Sequence, residues 1–112
     1  MSVDVEVKML GDIPVVQIVG GVIDVGESKL SKELKGLHAA KHSKIVIDVS
    51  KTNFINSHGV GIIMYYHNAL QDEGRELVIL NRNPDPDAYV ARLLCATKLY
   101  KVLRIAKNLD EI

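Results

Sequence analysis

Residues 45–61 read Ile-Val-Ile-Asp-Val-Ser-Lys-Thr-Asn-Phe-Ile-Asn-Ser-His-Gly-Val-Gly, and the fold follows from how this stretch is parsed. Ile45 to Val49 is a β-branched run interrupted only by Asp48, the pattern of a buried strand. Ser50 to Asn53 is polar and predicts a turn, after which Phe54 and Ile55 return toward a core. Asn56-Ser57 stands immediately before a helical pattern that continues to Gly74. A serine in that place has two physical uses. Its hydroxyl can cap the free backbone N–H groups of the first helical turn. If phosphorylated, it would hold a dianion at the positive end of the helix dipole, where free N–H groups can bind it.

Working outward toward the N-terminus, Val3, Val5, Val7 and Met9 alternate with Asp4, Glu6 and Lys8, the period-two signature of a half-exposed strand. Gly11-Asp12 supplies a hairpin turn into a second strand, Ile13 to Val19, with Pro14 tolerable at its start and Gly20-Gly21 breaking it. Leu30, Leu34 and Leu37 recur at helical spacing, with Glu27, Lys29, Lys32, Glu33 and Lys35 on the other face, which predicts a helix over about 26–40. The central strand spans roughly Lys44 to Val49, with Asp48 near its end placed to accept hydrogen bonds from the following turn.

Toward the C-terminus, a second helix over about His58–Glu73 turns Val60, Ile63, Met64, His67 and Leu70 inward, widened by Ile62, Tyr66 and Ala69. Of the adjacent Tyr65 and Tyr66, one faces the core. Gly74 fits the position just past the helix end. Glu76 to Leu80 predicts a strand and Asn81 to Pro86 a loop, with Asp85 as N-cap and Pro86 opening a third helix. Val90, Leu93, Leu94 and Thr97 form that helix's inward stripe. Val102 to Ile105 predicts a short last strand, and Asn108 caps a final turn into Leu109 and Ile112. The order β-β-α-β-α-β-α-β implies an α/β fold with a mixed, mostly parallel sheet of about five strands and about four helices.

Composition bounds the function. At 112 residues, the chain is read as one domain over 1–112, and 47% hydrophobic with 25% charged residues is the balance of a soluble globular protein. Zero formal net charge gives no electrostatic case for nucleic acid or an anionic membrane. No apolar run approaches the ~18 residues needed to span a bilayer. Met1 to Val7 lacks the basic and apolar regions of a signal peptide, so a cytoplasmic location is expected. The single cysteine, Cys95, excludes an internal disulfide and reads as a small buried hydrophobe.

Enzyme readings fail on the residues. Position 55 is Ile, so the Gly-x-Ser-x-Gly elbow is absent around Ser57. His38 and His42 share a helical face without a third ligand, and Gly59-Val60-Gly61 lacks both the spacing and the lysine of a P-loop. No catalytic group, cofactor or metal is expected.

Ile45 to Ser50 followed by Phe54-Ile55-Asn56-Ser57-His58-Gly59-Val60-Gly61 resembles the signature of STAS domains, in particular the bacterial anti-sigma factor antagonists. Those carry Phe-hydrophobic-Asp-Ser-Ser/Thr/Ala-Gly-hydrophobic-Gly here. Gly21-Val22-Ile23-Asp24 resembles the family's Gly-x-hydrophobic-Asp before its first helix. Pro84 to Ile105 resembles its proline-led third helix, Leu-Leu-x-x-Thr stretch and closing strand. The resemblance implies a STAS-like fold. It also implies that Ser57 is phosphorylated by an anti-sigma factor of the ATPase-kinase type, which the unphosphorylated form binds to release a sigma factor. A metal-dependent serine phosphatase would reverse the modification. The partner-binding residues so implied are Asp24, Asn53, Asn56, Ser57, His58, Gly59 and Val60, with Asp24 open to the other role of capping the first helix.

Three positions depart from the family pattern. Asn56 replaces its acidic residue, His58 its small residue, and Lys98 the Gly or Asn that ends its third helix in a left-handed conformation. Two other functions stay open on the sequence. One is a structural or accessory STAS domain, in a stress-complex scaffold or a lipid-transport system, in which Ser57 only caps a helix. The other is a small-ligand sensor with Met64 and the tyrosines lining a pocket.

Overall fold

The computed structural model describes residues 3–112. Met1, Ser2 and the side chain of Val3, part of the N-terminal pattern above, lie outside the described residues. The alternating segment forms strand β1 (Val3–Leu10), and Gly11, at φ 62°, turns it into the antiparallel strand β2 (Ile13–Val22). Val7 and Met9 stay 36% and 55% exposed, because β1 is the edge of the sheet. Gly20-Gly21 does not end β2. The strand runs on to Val22, and the glycines coincide with a shift in its register against the next strand.

Helix α1 (Val25–Ala39) buries Leu30 and Leu34 as its spacing predicts. The central strand β3 runs over Lys44–Ile55, well past Val49, and the predicted turn at Ser50–Asn53 is part of it. Lys51 pairs with Val19 and Thr52 with Gly20, while the Thr52 hydroxyl donates to the Ile18 carbonyl at 3.0 Å. A polar run reads as a turn only until a long partner strand offers it a ladder.

Helix α2 (Ser57–Asp72) ends as its glycine predicts. Gly74 takes φ 72° while Arg75 N–H donates to the Leu70 carbonyl and Gly74 N–H to that of Gln71, the two bonds of a Schellman motif. Strand β4 (Glu76–Leu80) has the predicted bounds. Helix α3 (Tyr89–Ala96) starts later than predicted, with Ala88 rather than Asp85 at its N-cap. Asn81, Asn83 and Asp85 each accept the backbone N–H two residues on, so three successive Asx turns hold this segment outside the helix. Pro84 and Pro86 reinforce them by disfavouring helical backbone at the residues before them.

Lys98 takes the left-handed conformation itself, at φ 58°, so the departure from Gly or Asn leaves the conformation unchanged. A 3-10 turn (Leu99–Lys101) precedes strand β5 (Arg104–Ala106), which starts two residues later than predicted. A second 3-10 turn (Leu109–Glu111) follows, with Asn108 accepting from Asp110 N–H at 3.0 Å as expected. These short turns stand in place of a fourth helix. Cys95 is exposed, not buried, because α3 is short and buries only Val90 fully.

The strand order is β1-β2-β3-β4-β5, antiparallel in the first pair and parallel in the other three. Leu30, Leu34, Ile63, Leu70 and Val90 from the three helices pack into one cluster with Val16, Ile18, Ile45, Ile47, Leu77 and Ile79. The opposite face holds a smaller cluster of Val15, Val46, Val78, Leu80 and Ala106, against which Ile13 and Ile112 pack. Burial on both faces is why Ile45 to Val49 is apolar throughout except for Asp48.

Candidate functional site

The C-terminal ends of β2 and β3 lie side by side, Val22 opposite Ile55, and Asn56 N–H extends their pairing to the Val22 carbonyl at 3.2 Å. This brings the junction before α1 against the junction before α2. Crevices outside the C-terminal ends of parallel strands are where α/β folds place their sites.

Asn56, not Ser57, caps α2. Its Oδ1 accepts the Gly59 N–H at 2.7 Å, and Ser57 is the first helical residue. The capping role weighed for Ser57 is therefore overturned: a residue one step earlier already has the extended backbone that a cap requires. Ser57 is exposed, and its hydroxyl has no hydrogen-bond partner among the described residues.

Gly59 is buried because α2 enters so close to the sheet. A Cβ on it would sit 2.7 Å from Val22 Cγ1 and 2.9 Å from Ile55 Cγ2. Val60 is half-buried and packs on the core, whereas His58 is exposed.

Glu27, in the first turn of α1, joins the two junctions. Its Oε1 accepts the Asn56 amide Nδ2–H at 2.8 Å and lies 2.9 Å from His58 Nδ1. The Asn56 amide, above all, holds the Glu27 carboxyl below its ordinary pKa; burial opposes this, and His58 and the Asp24 backbone N–H add to it. Asn56 is thus committed at both ends, its oxygen to the helix N-terminus and its nitrogen to a carboxylate. An ionised aspartate has no donor to offer Glu27, which gives the departure from the family's acidic residue a physical reason. Sequence reasoning assigned Glu27 to a solvated helix face. The Asp24-x-x-Glu27 spacing of a capping box was the one signal that could have singled it out.

This arrangement has a pH signature. A carboxyl held below its ordinary pKa contributes stability that is present above the unfolded value and lost as pH falls through the folded one. Wild type is expected to out-melt Glu27→Gln at about pH 6 and to lose that advantage progressively as pH falls below the ordinary carboxylate range. A difference that stays constant as pH falls contradicts the assignment.

The remaining predicted residues surround this centre. Asp24 occupies the N-cap position of α1 at φ 51° and ψ −107°, but its side chain makes no capping hydrogen bond. The capping role weighed for it fails, and its side chain is exposed beside the site. Asn53 is exposed on β3 rather than in a loop. Ile23, Val25 and Phe54 are 39%, 60% and 39% exposed at the same end of the sheet. Of the Phe54-Ile55 pair expected to return toward a core only Ile55 does, because the two side chains alternate across β3. The site is a polar centre flanked by apolar surface.

Tyr89 fixes this end of β3. Its hydroxyl donates to the Ile55 carbonyl at 2.9 Å and accepts the Ile55 N–H at 3.2 Å, while its ring stacks on Phe54 with centroids 5.5 Å apart. Tyr89→Phe strands both backbone groups and is expected to cost about 1–2 kcal/mol in a urea titration. An unchanged midpoint contradicts the strap.

Asp48 supports the fold from the other face. Its carboxylate accepts from Ser50 N–H at 3.0 Å, Ser50 Oγ at 2.6 Å and the Arg82 guanidinium at 3.0 Å. It lies inside β3 rather than near the end of the strand. Of the two histidines considered together, His38 pairs with Glu73 at 2.9 Å, and no group of three metal-ligating side chains occurs among the described residues. His67 is half-buried rather than a core residue. As expected of the tyrosine pair, Tyr66 is buried and Tyr65 exposed. The cavity that Met64 lines with Val49, Ile63, Val90, Leu93 and Leu103 is wholly apolar and only about 20 Å³, and no tyrosine lines it. That volume is room for about one water, too small for a metabolite. Among the described residues no helix is long and apolar enough to cross a membrane.

The STAS domain family matches residues 4–112. The fold is similar to that of an anti-sigma factor antagonist from Mycobacterium paratuberculosis, with a TM-score of 0.84 at 23% identity over 98% of this chain and 90% of that one. It is also similar to the anti-sigma factor antagonist SpoIIAA in its unphosphorylated form, with a TM-score of 0.71 at 14% identity over 96% and 92% of the two chains. The phosphorylated form of SpoIIAA from Bacillus gives a TM-score of 0.70 at 15% identity over 96% and 95%. At these identities the likeness is one of fold.

Proposed function

The chain belongs to the STAS domain family, and on that premise we propose that it is an anti-sigma factor antagonist switched by phosphorylation of Ser57. It acts in the cytoplasm as a single unit over residues 1–112. The unmodified protein docks on an anti-sigma factor of the ATPase-kinase type through Asp24, Asn53 and Asn56 to Val60, and so releases a sigma factor. The same partner phosphorylates Ser57, the complex dissociates, and a metal-dependent serine phosphatase restores the docking form.

The observation that carries this reading is the free, exposed hydroxyl of Ser57 at the head of α2, where Asn56 has already taken over the capping. Support also comes from the fold shared with SpoIIAA, a protein solved in both unphosphorylated and phosphorylated forms. A phosphate on Ser57 would sit beside first-turn N–H groups that have no intrahelical acceptor, so the fold tolerates it. The Glu27 carboxylate, 2.9 Å from His58 in this turn, repels added negative charge. The phosphate therefore changes the docking surface and leaves the core alone.

The test is capture of partners from lysate of the source organism with wild type, Ser57→Ala and Ser57→Asp, identified by mass spectrometry. An ATPase-kinase held by the first two and not by Ser57→Asp is expected. Equal capture of one protein by all three would contradict the switch and leave Ser57 without a regulatory role.

A further inference from the structure

No strand among the described residues pairs with the outer edge of β1. The two-residue turn at Gly11-Asp12 makes Leu10 and Ile13 a hydrogen-bonded pair, and so, by alternation, are Lys8 with Val15, Glu6 with Gln17 and Asp4 with Val19. The N–H and C=O groups of Val5, Val7 and Met9 therefore point away from β2, along the free edge. On the face away from the helices, Glu6 lies opposite Gln17 and Lys8 opposite Val15, so neither charge meets a cross-strand counter-ion. Neither forms an ion pair among the described residues. On the helix face, Val7 and Met9 remain 36% and 55% exposed.

We propose that this edge pairs with the same edge of a second copy, antiparallel and with Val7 on the two-fold axis, so that two five-stranded sheets become one. The register follows from the charges. An axis through Lys8 sets that charge against itself, and one through Glu6, although it faces Lys8 with Asp4, sets Glu6 against itself at the centre of the pairing. An axis through Val5 sets Glu6 against Asp4 of the second copy, and one through Met9 sets Glu6 against its Asp12. The axis through Val7 places Glu6 opposite Lys8 and Lys8 opposite Glu6, two attractive pairs related by symmetry. It also makes Val7 with Val7, and Val5 with Met9, the hydrogen-bonded pairs, which are those whose backbone groups face outward. The exposed Val7 and Met9 are covered in the same step. Charges on an edge strand ordinarily prevent such pairing; alternating charges that match their own reverse favour it.

The test is sedimentation velocity over a concentration series, with circular dichroism as a control for folding. Wild type is expected to dimerise reversibly. Glu6→Lys and Lys8→Glu, each alone, turn both pairs repulsive and are expected to weaken association at least about tenfold. Mixing the two single variants is expected to restore dimers, as is the double variant Glu6→Lys/Lys8→Glu. Wild type that stays monomeric to about millimolar concentration overturns the proposal and leaves the edge to a strand of another protein. Dimers indifferent to single reversal, or not restored by the compensating partner, overturn it as well.

Discussion

Two glycines of α2, two positions apart, are expected to respond to alanine with opposite signs. Gly59→Ala is expected to destabilise the protein by about 1–2 kcal/mol, and Gly61→Ala to stabilise it by about 0.5–1 kcal/mol. A glycine in a helix interior ordinarily gains from alanine, because alanine loses less backbone freedom on folding. At Gly61 nothing stands within 4 Å of the added carbon, so only that gain remains. At Gly59 the added carbon meets Val22 Cγ1 at 2.7 Å and Ile55 Cγ2 at 2.9 Å, both buried in the main core. Overpacking of that kind costs about 1–3 kcal/mol and outweighs the propensity gain. To relieve it, the head of α2 must lift, which lengthens the Asn56 bond to Val22 and displaces Ser57. Gly59→Ala should therefore weaken partner binding as well. Urea titrations of the two variants that move in the same direction would contradict this account.

Ser57→Asp is expected to leave stability within about 0.5 kcal/mol of wild type while weakening partner binding by about 3 kcal/mol, more than a hundredfold in Kd. A carboxylate in the first turn gains a few tenths of a kcal/mol from the helix terminus. The Glu27 carboxylate, held 2.9 Å from His58 in the same turn, offsets part of that gain. In the proposed interface a charge at position 57 would be desolvated on docking, and that cost falls on binding rather than on folding. Ser57→Ala should bind like wild type, since the hydroxyl holds no hydrogen bond among the described residues that its loss would break. A large fall in stability for Ser57→Ala would mean that the serine is structural.

Much of the fold was legible because its signals are local. The β-branched run at Ile45 to Val49, the Gly11-Asp12 turn, the Leu30/Leu34 stripe and Gly74 each fix their own conformation. What escaped depends on distant partners. Ser50 to Asn53 became strand because the end of β2 lies beside it, and Gly20-Gly21 stayed in β2 for the same reason. Asp85 was a plausible cap with proline after it, but the ladder of Asx turns from Asn81 held the chain out of the helix.

The site divides in the same way. Its place at the head of α2 was readable from Asn56-Ser57 and the glycines. Glu27 was not, since it is 29 residues from Asn56 and reaches it only through the parallel pairing of β2 with β3. Nor could composition show that the cap falls on Asn56 and leaves Ser57 free. Of the three departures from the family pattern, Asn56 and His58 are the two that meet Glu27.

The most direct measurement is of phosphate transfer itself: the captured ATPase-kinase is mixed with the protein and Mg-ATP, and site mapping and complex size are followed together. One phosphate, on Ser57, with dissociation tracking its incorporation and neither event in Ser57→Ala, is the predicted result. Incorporation at another residue, or a complex that persists once Ser57 is fully phosphorylated, would contradict the account.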